Sequence, residues 1–274
     1  MTRKNHPYAY EWAAPYEKAK PVIVCLHGFT GTRHTFTELT KILPAYNWLQ
    51  IDLPGHGETQ AAATEFSTVI TRLAQLLADL EVPTYHLLGY SMGARLALGW
   101  ALTYPQQVQT LIMESGSPGL STQQARQVRQ QQDEQIAQRI EREGVAGFVA
   151  FWQELPLFSS QKQLAKSRQE RIRQERLSQT ASGLARSLRG MGTGSQPNYW
   201  SELAQIVPPV LYLAGEWDQK FQTIGQQMAQ ASQRIQFITL PAVGHCLHIE
   251  NPRAFAQPIA QWLEEHMADE YCQN

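Results

Sequence analysis

Short apolar runs alternate with longer amphipathic segments along most of the chain. Six of the runs have the length of buried strands and are bounded by turn-forming residues, at 21–27, 48–53, 85–89, 108–114, 209–214 and 235–240. Segments of helical period lie near 66–80, 92–103, 221–231 and 252–267. This alternation predicts an α/β protein with a mostly parallel sheet flanked by helices on both faces.

The middle of the chain breaks this alternation. Residues 118–200 contain no convincing strand, but several polar stretches rich in Gln, Arg and Glu that favour helix. We therefore expect a helical cap at 118–200, inserted into an α/β core formed by 1–117 and 201–274.

Charge is distributed unevenly between the two parts. The whole chain has a net charge of −1, which gives no global field to recruit nucleic acid or an anionic membrane. The cap has ten Arg and two Lys against seven acidic residues, so it carries +5 and the remainder −6. Roughly seven of the ten arginines are expected on solvated helix faces with i,i+4 partners. The others suggest a small anionic ligand.

The sequence favours a cytoplasmic protein with no membrane insertion. The first twenty residues are polar and charged throughout, and no run of about 18 apolar residues exists.

Three cysteines, Cys25, Cys246 and Cys272, are an odd number without metal-like spacing, which fits a reducing compartment, and Cys25 is expected in the core. No metal or organic cofactor is indicated. We expect a monomer or a weak homo-oligomer.

A nucleophile elbow is predicted between the strand at 85–89 and the helix near 92–103. The motif G-x-S-x-G is present as Gly89-Tyr90-Ser91-Met92-Gly93. A strained turn at this place exposes the hydroxyl of Ser91 above the sheet. Side chains at 89 and 93 would collide with the neighbouring strand and helix, which explains the two glycines.

A serine hydroxyl needs an imidazole base, and the imidazole needs a carboxylate that fixes its tautomer. His245 follows the strand at 235–240, and Asp218 follows the strand at 209–214, which gives the chain order Ser, Asp, His used in the α/β-hydrolase fold. Glu114, at the end of an earlier strand, is an alternative acid. His248 occupies the same loop as His245 and is expected to pack against the pocket wall.

The oxyanion hole is expected to consist of two backbone N–H groups. In this fold one comes from the loop after the first core strand, where Phe29 lies, and the other from the residue after the serine, Met92. His27 is expected to hold that loop by a hydrogen bond rather than to take part in catalysis.

Longer strings around these residues resemble the MenH family, the 2-succinyl-6-hydroxy-2,4-cyclohexadiene-1-carboxylate synthases of menaquinone and phylloquinone (vitamin K) biosynthesis. The resemblance extends from about residue 21 to the end. Its strings are Gly89-Tyr90-Ser91-Met92-Gly93-Ala94-Arg95, Gly116-Ser117-Pro118-Gly119-Leu120, Gly215-Glu216-Trp217-Asp218-Gln219-Lys220-Phe221 and Gly244-His245-Cys246-Leu247-His248-Ile249-Glu250-Asn251-Pro252.

The resemblance implies a carbon–oxygen lyase. Such an enzyme eliminates pyruvate from 2-succinyl-5-enolpyruvyl-6-hydroxy-3-cyclohexene-1-carboxylate, a substrate with three carboxylates, with Ser91 acting as base. The arginines that match the family's substrate-binding positions are Arg95, Arg129 and Arg176. Tyr90, Trp152 and Phe158 match positions that line the pocket.

Two other functions are compatible with the same residues. A serine carboxylesterase, thioesterase or C–C bond hydrolase would use the same three side chains with an acylated Ser91. A receptor that retained the fold without catalysis is the second alternative. Convergence of the three arginines on one pocket would favour the lyase, whereas an apolar acyl tunnel would favour an enzyme that acts on an ester.

Overall fold

A seven-stranded sheet forms the centre of the fold in a computed structural model that describes residues 6–62 and 65–271. Its strand order is β1-β3-β2-β4-β5-β6-β7. The strands are β1 (Tyr10–Trp12), β2 (Val22–Leu26), β3 (Asn47–Ile51), β4 (Tyr85–Tyr90), β5 (Val108–Glu114), β6 (Val210–Gly215) and β7 (Ile235–Leu240).

The sheet is parallel except at one edge. β2 through β7 pair in parallel, whereas β1 runs antiparallel to β3, with Tyr10 opposite Ile51. The six predicted strands are confirmed, with ends that differ by no more than two residues. β1 was not predicted. It is only three residues long and half-buried, so it lacks the apolar run that identifies the central strands.

Helices flank the sheet and form the middle of the chain. The α-helices are α1 (Thr37–Ile42), α2 (Phe66–Asp79), α3 (Met92–Thr103), α4 (Gln123–Trp152), α5 (Lys166–Leu177), α6 (Ala181–Met191), α7 (Gln219–Ala231), α8 (Leu247–Glu250) and α9 (Pro252–Tyr271). Short 3₁₀ helices span Arg33–Phe36, Pro156–Gln163 and Trp200–Gln205. The four predicted helices correspond to α2, α3, α7 and α9.

Alternate residues of the central strands enter two separate apolar layers. Val24 and Leu87 face the layer that contains side chains of α2, α3 and α7. Their neighbours Cys25 and Leu88 face the opposite layer, which contains side chains of α1 and α9. Cys25 is buried, as expected. This two-sided burial is typical of a parallel sheet covered by helices, and it fixes the carboxyl edge where the loops meet.

Residues 118–200 are helical and contain no strand. α4 packs on α6 around a small apolar cluster that includes Phe148 and Leu184. The helical run of α4 is broken at Gly144, which has φ 69° and ψ 175°. The division into a core and a cap at 117/118 and 200/201 stays a prediction.

No helix within residues 6–62 and 65–271 has the length and apolar character required to cross a bilayer. Cys25 and Cys246 are buried thiols without a disulfide partner among these residues. Cys272 lies outside the described residues.

Candidate active site

Ser91 lies at the carboxyl edge of the sheet, between β4 and α3. Its backbone has φ 50° and ψ −104°, a conformation that an L-residue adopts only at a cost of about 1–3 kcal/mol. Its N–H donates to the Glu114 carbonyl of β5 over 2.8 Å, which holds the strained turn against the neighbouring strand. The strain and its location are those of a nucleophile elbow.

The two glycines of the elbow are required by close packing. A Cβ at Gly89 would lie 2.5 Å from the backbone N of Ala94 in α3. A Cβ at Gly93 would overlap the Leu26 carbonyl of β2. The helix and the strand therefore approach the turn as the sequence predicted.

His245 and Asp218 form a buried pair beside this turn. The Nδ1–H of His245 donates to Asp218 Oδ2 over 2.6 Å, and both side chains are buried. Asp218 also caps α7, because its Oδ1 accepts from the backbone N–H of Phe221 over 3.4 Å. Both Ser91 and His245 line the same cavity. A carboxylate on Nδ1 leaves Nε2 of the ring to act as the basic nitrogen.

The loop that carries His245 is held by one carboxylate. Glu250 accepts hydrogen bonds from the backbone N–H groups on both sides of the histidine, that of Gly244 at 2.6 Å and that of Cys246 at 3.2 Å. It also accepts from the Ser160 hydroxyl at 2.8 Å. Ser160 belongs to the 3₁₀ helix at 156–163, so Glu250 links the histidine loop to the inserted segment.

The alternative acid Glu114 is paired with a different histidine. Both of its oxygens accept from His248 Nδ1, at 2.8 and 2.7 Å, and both residues are buried. The His248 ring packs against Tyr90 and Phe36, with ring centroids 4.7 and 4.9 Å apart. The carboxylate beside His245 is therefore that of Asp218.

A cavity of about 140 Å³ lies above Ser91. It is bounded by the elbow, by the loops after β2 and β5, by α4 and α6, and by the start of α7. Its lining includes Phe29, Tyr90, Ser91, Met92, Arg95, Ser115, Ser117, Arg129, Trp152, Leu157, Phe158, Ser187, Leu188, Met191, Gly192, Thr193, Lys220, Phe221 and His245.

Three cationic side chains line this cavity. Arg95 is buried on α3, and one N–H of its guanidinium donates to the Met191 carbonyl over 3.0 Å. Burial, and then the nearby charge of Arg129, lower the pKa of Arg95 to about 10. Lys220 is exposed overall, but partial burial of its ammonium group and then Arg129 lower its pKa. Such concentration of positive charge is typical of an anion site.

Arg176 is placed elsewhere. It is buried on α5, donates to Gln161 Oε1 over 3.0 Å and packs on the ring of Phe158, 4.7 Å from its centroid. It lines a neighbouring cleft of about 420 Å³ that shares Phe158 with the cavity above Ser91. Burial lowers the pKa of Arg176. The structure thus brings Arg95 and Arg129 together and leaves Arg176 behind an aromatic wall.

The three predicted aromatic residues form one side of the cavity. The Tyr90 hydroxyl lies 2.6 Å from the Cys246 sulfur. Trp152 and Phe158 are in contact, with ring centroids 5.8 Å apart. The indole N–H of Trp152 is buried and has no partner among the described residues.

Phe29 and Met92 both border the cavity near Ser91. Met92 is the first residue of α3, no side chain caps that helix, and the first amides of a helix have no intrahelical acceptor. The side chain of His27 supports the Phe29 loop, as expected, because its Nε2 accepts from the Leu53 N–H over 2.9 Å.

Lys220 is the cationic residue of this cavity that sequence reasoning missed. It lies two positions after Asp218 in one of the strings that carry the resemblance, but it was not assigned to the site. The chain order contained the signal. Asp218 immediately precedes α7, so the residues in the first turn of α7 lie close to Asp218 and to the cavity.

Comparison with known proteins gives the family. The sequence profile of the alpha/beta hydrolase fold family matches residues 21–252. A Bacillus subtilis (strain 168) relative, whose name as a 2-succinyl-6-hydroxy-2,4-cyclohexadiene-1-carboxylate synthase is provisional, is 44% identical over 89% of this chain and 91% of its own length. A Klebsiella pneumoniae (strain 342) protein named as the same synthase is 34% identical over 89% of this chain and 94% of its own.

The solved structure of MenH from S. aureus is similar throughout. It superimposes with a TM-score of 0.89 and 36% identity, covering 96% of this chain and 100% of the other. The chain belongs to the MenH family of the α/β-hydrolase fold. The resemblance and the fold class predicted from the sequence are therefore confirmed, and this MenH-family chain is an enzyme of the synthase type.

Proposed function

We propose that this MenH-family enzyme eliminates pyruvate from 2-succinyl-5-enolpyruvyl-6-hydroxy-3-cyclohexene-1-carboxylate, giving 2-succinyl-6-hydroxy-2,4-cyclohexadiene-1-carboxylate for menaquinone or phylloquinone synthesis in the cytoplasm. The observation that carries the proposal is the cluster of Arg95, Arg129 and Lys220 around the cavity above Ser91. A substrate with three carboxylates needs such a cluster, whereas a neutral ester does not.

The proposed reaction begins with removal of a proton from the ring carbon next to the succinyl carbonyl. The Ser91 hydroxyl gives its proton to Nε2 of His245 and takes up the carbon-bound proton, while Asp218 stabilises the imidazolium formed. The backbone N–H groups of Phe29 and Met92 stabilise the enolate oxygen that develops.

The electron pair then moves through the ring. The double bond shifts, the C–O bond to the enolpyruvyl group breaks with its electron pair on oxygen, and the released enolate takes up one proton on its CH₂ carbon and becomes pyruvate. No acyl-enzyme forms in this sequence of steps. We propose that the carboxylates are bound by the guanidinium groups of Arg95 and Arg129, by Lys220 and by the indole N–H of Trp152. Tyr90 and Phe158 enclose the ring.

Arg176 takes part only if the wall between the two clefts moves. Its guanidinium stacks on Phe158, so a rotation of that ring is needed before the guanidinium faces the substrate. Its substrate-binding role therefore stays a prediction that is separate from those of Arg95 and Arg129.

The test is pyruvate release from the cyclohexene substrate by the wild-type enzyme and by Ser91→Ala. Loss of a general base costs about 10²–10⁴ in rate, so we expect a decrease of that size in kcat. Near-normal release by Ser91→Ala would refute the role of Ser91. A hydrolase is the alternative, and a burst with an aryl ester at a turnover above that of pyruvate release would favour it.

A further inference from the structure

One cation of the pocket, Arg129, binds a carboxylate that has no part in the proposed elimination. Asp133 lies on α4, one turn after Arg129, and is only 2% exposed. Its Oδ1 accepts from Arg129 Nε over 2.8 Å, and its Oδ2 accepts from the backbone N–H of Gly194 over 3.1 Å. Asp133 therefore connects α4 with the segment that follows α6.

That segment is part of the pocket wall. Gly192 and Thr193 line the cavity together with Met191, the last residue of α6, whose carbonyl is the acceptor for Arg95. The wall at 191–194 is thus bound by Arg95 at one end and by Asp133 at the other. Displacement of Asp133 would move both the wall and Arg129 at once.

The way Asp133 binds Arg129 determines which edge of the guanidinium is available. Only Nε is used, and neither terminal amino group of Arg129 has a partner among the residues that the structure describes. Those two groups form the planar fork that matches the two oxygens of a carboxylate. A guanidinium held at Nε presents this fork in one fixed direction, so less conformational entropy is lost when an anion binds.

We propose that Asp133 is a positioning residue, which fixes the fork of Arg129 and the wall at 191–194 for one carboxylate of the substrate. This inference rests on the proposed function, because it concerns how that polycarboxylate is held. It assigns to a buried acid a favourable effect on the binding of an anion.

Charge alone predicts the opposite sign. If Asp133 only balanced the positive charge of Arg95 and Arg129, removing its charge would make the pocket more positive, and an anion would bind more tightly. If Asp133 positions Arg129, removing the charge weakens the anion's binding. The direction of the change in KM therefore decides between the two roles.

The experiment compares Asp133→Asn with the control Glu134→Gln. Glu134 is the next residue of α4, but it is exposed and pairs with Arg189 on the surface. We expect Asp133→Asn to raise the KM for the cyclohexene substrate about tenfold, the size of one charge-assisted hydrogen bond, with kcat close to wild type. Glu134→Gln should leave both unchanged.

A second background separates positioning from general structural damage. In an Arg129→Met enzyme there is no fork to position, so adding Asp133→Asn should raise KM clearly less than it does in the wild type, because only the effect on the wall remains. An unchanged or lower KM in Asp133→Asn, or an equal increase in the Arg129→Met background, would overturn the proposal.

Direct binding keeps this test independent of the reaction. Citrate serves as a tricarboxylate probe, and calorimetry should show binding to Asp133→Asn about tenfold weaker than to wild type. If the wild type binds citrate in this way but releases no pyruvate, the proposed function fails and the role of Asp133 stands. If citrate binds both proteins equally, the role of Asp133 fails.

Discussion

Arg95 shows how a single residue combines function with a cost in stability. Its guanidinium is buried beneath the cavity, with one hydrogen bond to a backbone carbonyl and the Phe66 ring 5.6 Å away. Its pKa is lowered because burial disfavours the charged form and because Arg129 is close. The charge of Asp133 compensates only in part, and a buried charge of this kind is expected where it serves a ligand rather than the fold.

Replacement of Arg95 by Met tests this interpretation. Met keeps much of the length and the apolar stem, while the charge is lost. We expect kcat/KM for the cyclohexene substrate to fall about 10- to 100-fold, since a hydrogen bond from a charged group is worth about 1.5–3 kcal/mol. The melting temperature should be unchanged or higher, because a buried charge that is only partly compensated is removed.

The matched control is Arg186→Met on α6, where the side chain is exposed. This variant should change neither kcat/KM for the cyclohexene substrate nor the melting temperature. A fall of several degrees in the melting temperature of Arg95→Met, with unchanged kinetics, would show that Arg95 is a structural residue.

At the scale of elements, the β7–α8 loop matters most, because it carries His245. Glu250, on α8, binds the amides on both sides of the histidine and the hydroxyl of Ser160. One short helix therefore determines the position of His245 and the connection of its loop to the 3₁₀ helix at 156–163. The sequence did not indicate this role of Glu250, because the position after the last strand identified His245 but not the side chain that holds its loop.

Glu250→Gln is expected to lower kcat and to leave KM nearly unchanged. The amide can still accept at one oxygen, but its NH₂ group then faces a backbone N–H, so at least one of the three hydrogen bonds is lost. An unsatisfied buried amide costs about 1–3 kcal/mol, and we expect a similar loss in the free energy of unfolding and about a tenfold loss in kcat. Urea unfolding and pyruvate release measure the two effects.

Glu154→Gln is the control for this prediction, since Glu154 is exposed and pairs with Lys162 on the surface. Its kcat and its free energy of unfolding should equal those of the wild type. An increase in KM with normal kcat in Glu250→Gln would contradict the role of Glu250, because it would place the effect in substrate binding.

The sequence predicted the central elements well because they are long and buried on both sides. β4 and β5 have uninterrupted apolar runs, and α3 follows the serine motif directly, so both the pattern and the chemistry gave the same boundaries. β1 and α1 were missed, since three and six residues are too few to show a period. The break at Gly144 was missed because glycine is also tolerated within helices.

At the scale of the whole molecule, the positive charge of the pocket comes from both parts of the chain. The sequence analysis associated anion binding with the Arg-rich cap, but Arg95 and Lys220 lie in the segments predicted as core. Several cap arginines pair with acids on the surface instead, including Arg139 with Glu143 and Arg189 with Glu134 and Glu141. Composition indicated an anion site and the family resemblance named Arg95 and Arg129, but only the packing of α3, α4 and α7 placed Lys220 beside them.

The relation between the serine, the histidine and the aspartate was predicted from chain order, whereas the position of Arg176 was not. Order is sufficient where each residue follows a parallel strand, because all such loops meet at one edge of the sheet. Arg176 lies on α5, and its direction depends on how α5 packs against the 3₁₀ helix at 156–163. No periodic signal in the sequence contains that information.

The central claim is that the enzyme removes a carbon-bound proton and expels pyruvate, rather than hydrolysing a bond. The most direct measurement uses substrate with deuterium at the ring carbon that bears the succinyl group, and it follows pyruvate and deuterium release together. We predict one deuterium lost to water for each pyruvate formed. Pyruvate released while the ring keeps its deuterium would indicate hydrolysis and would contradict this account.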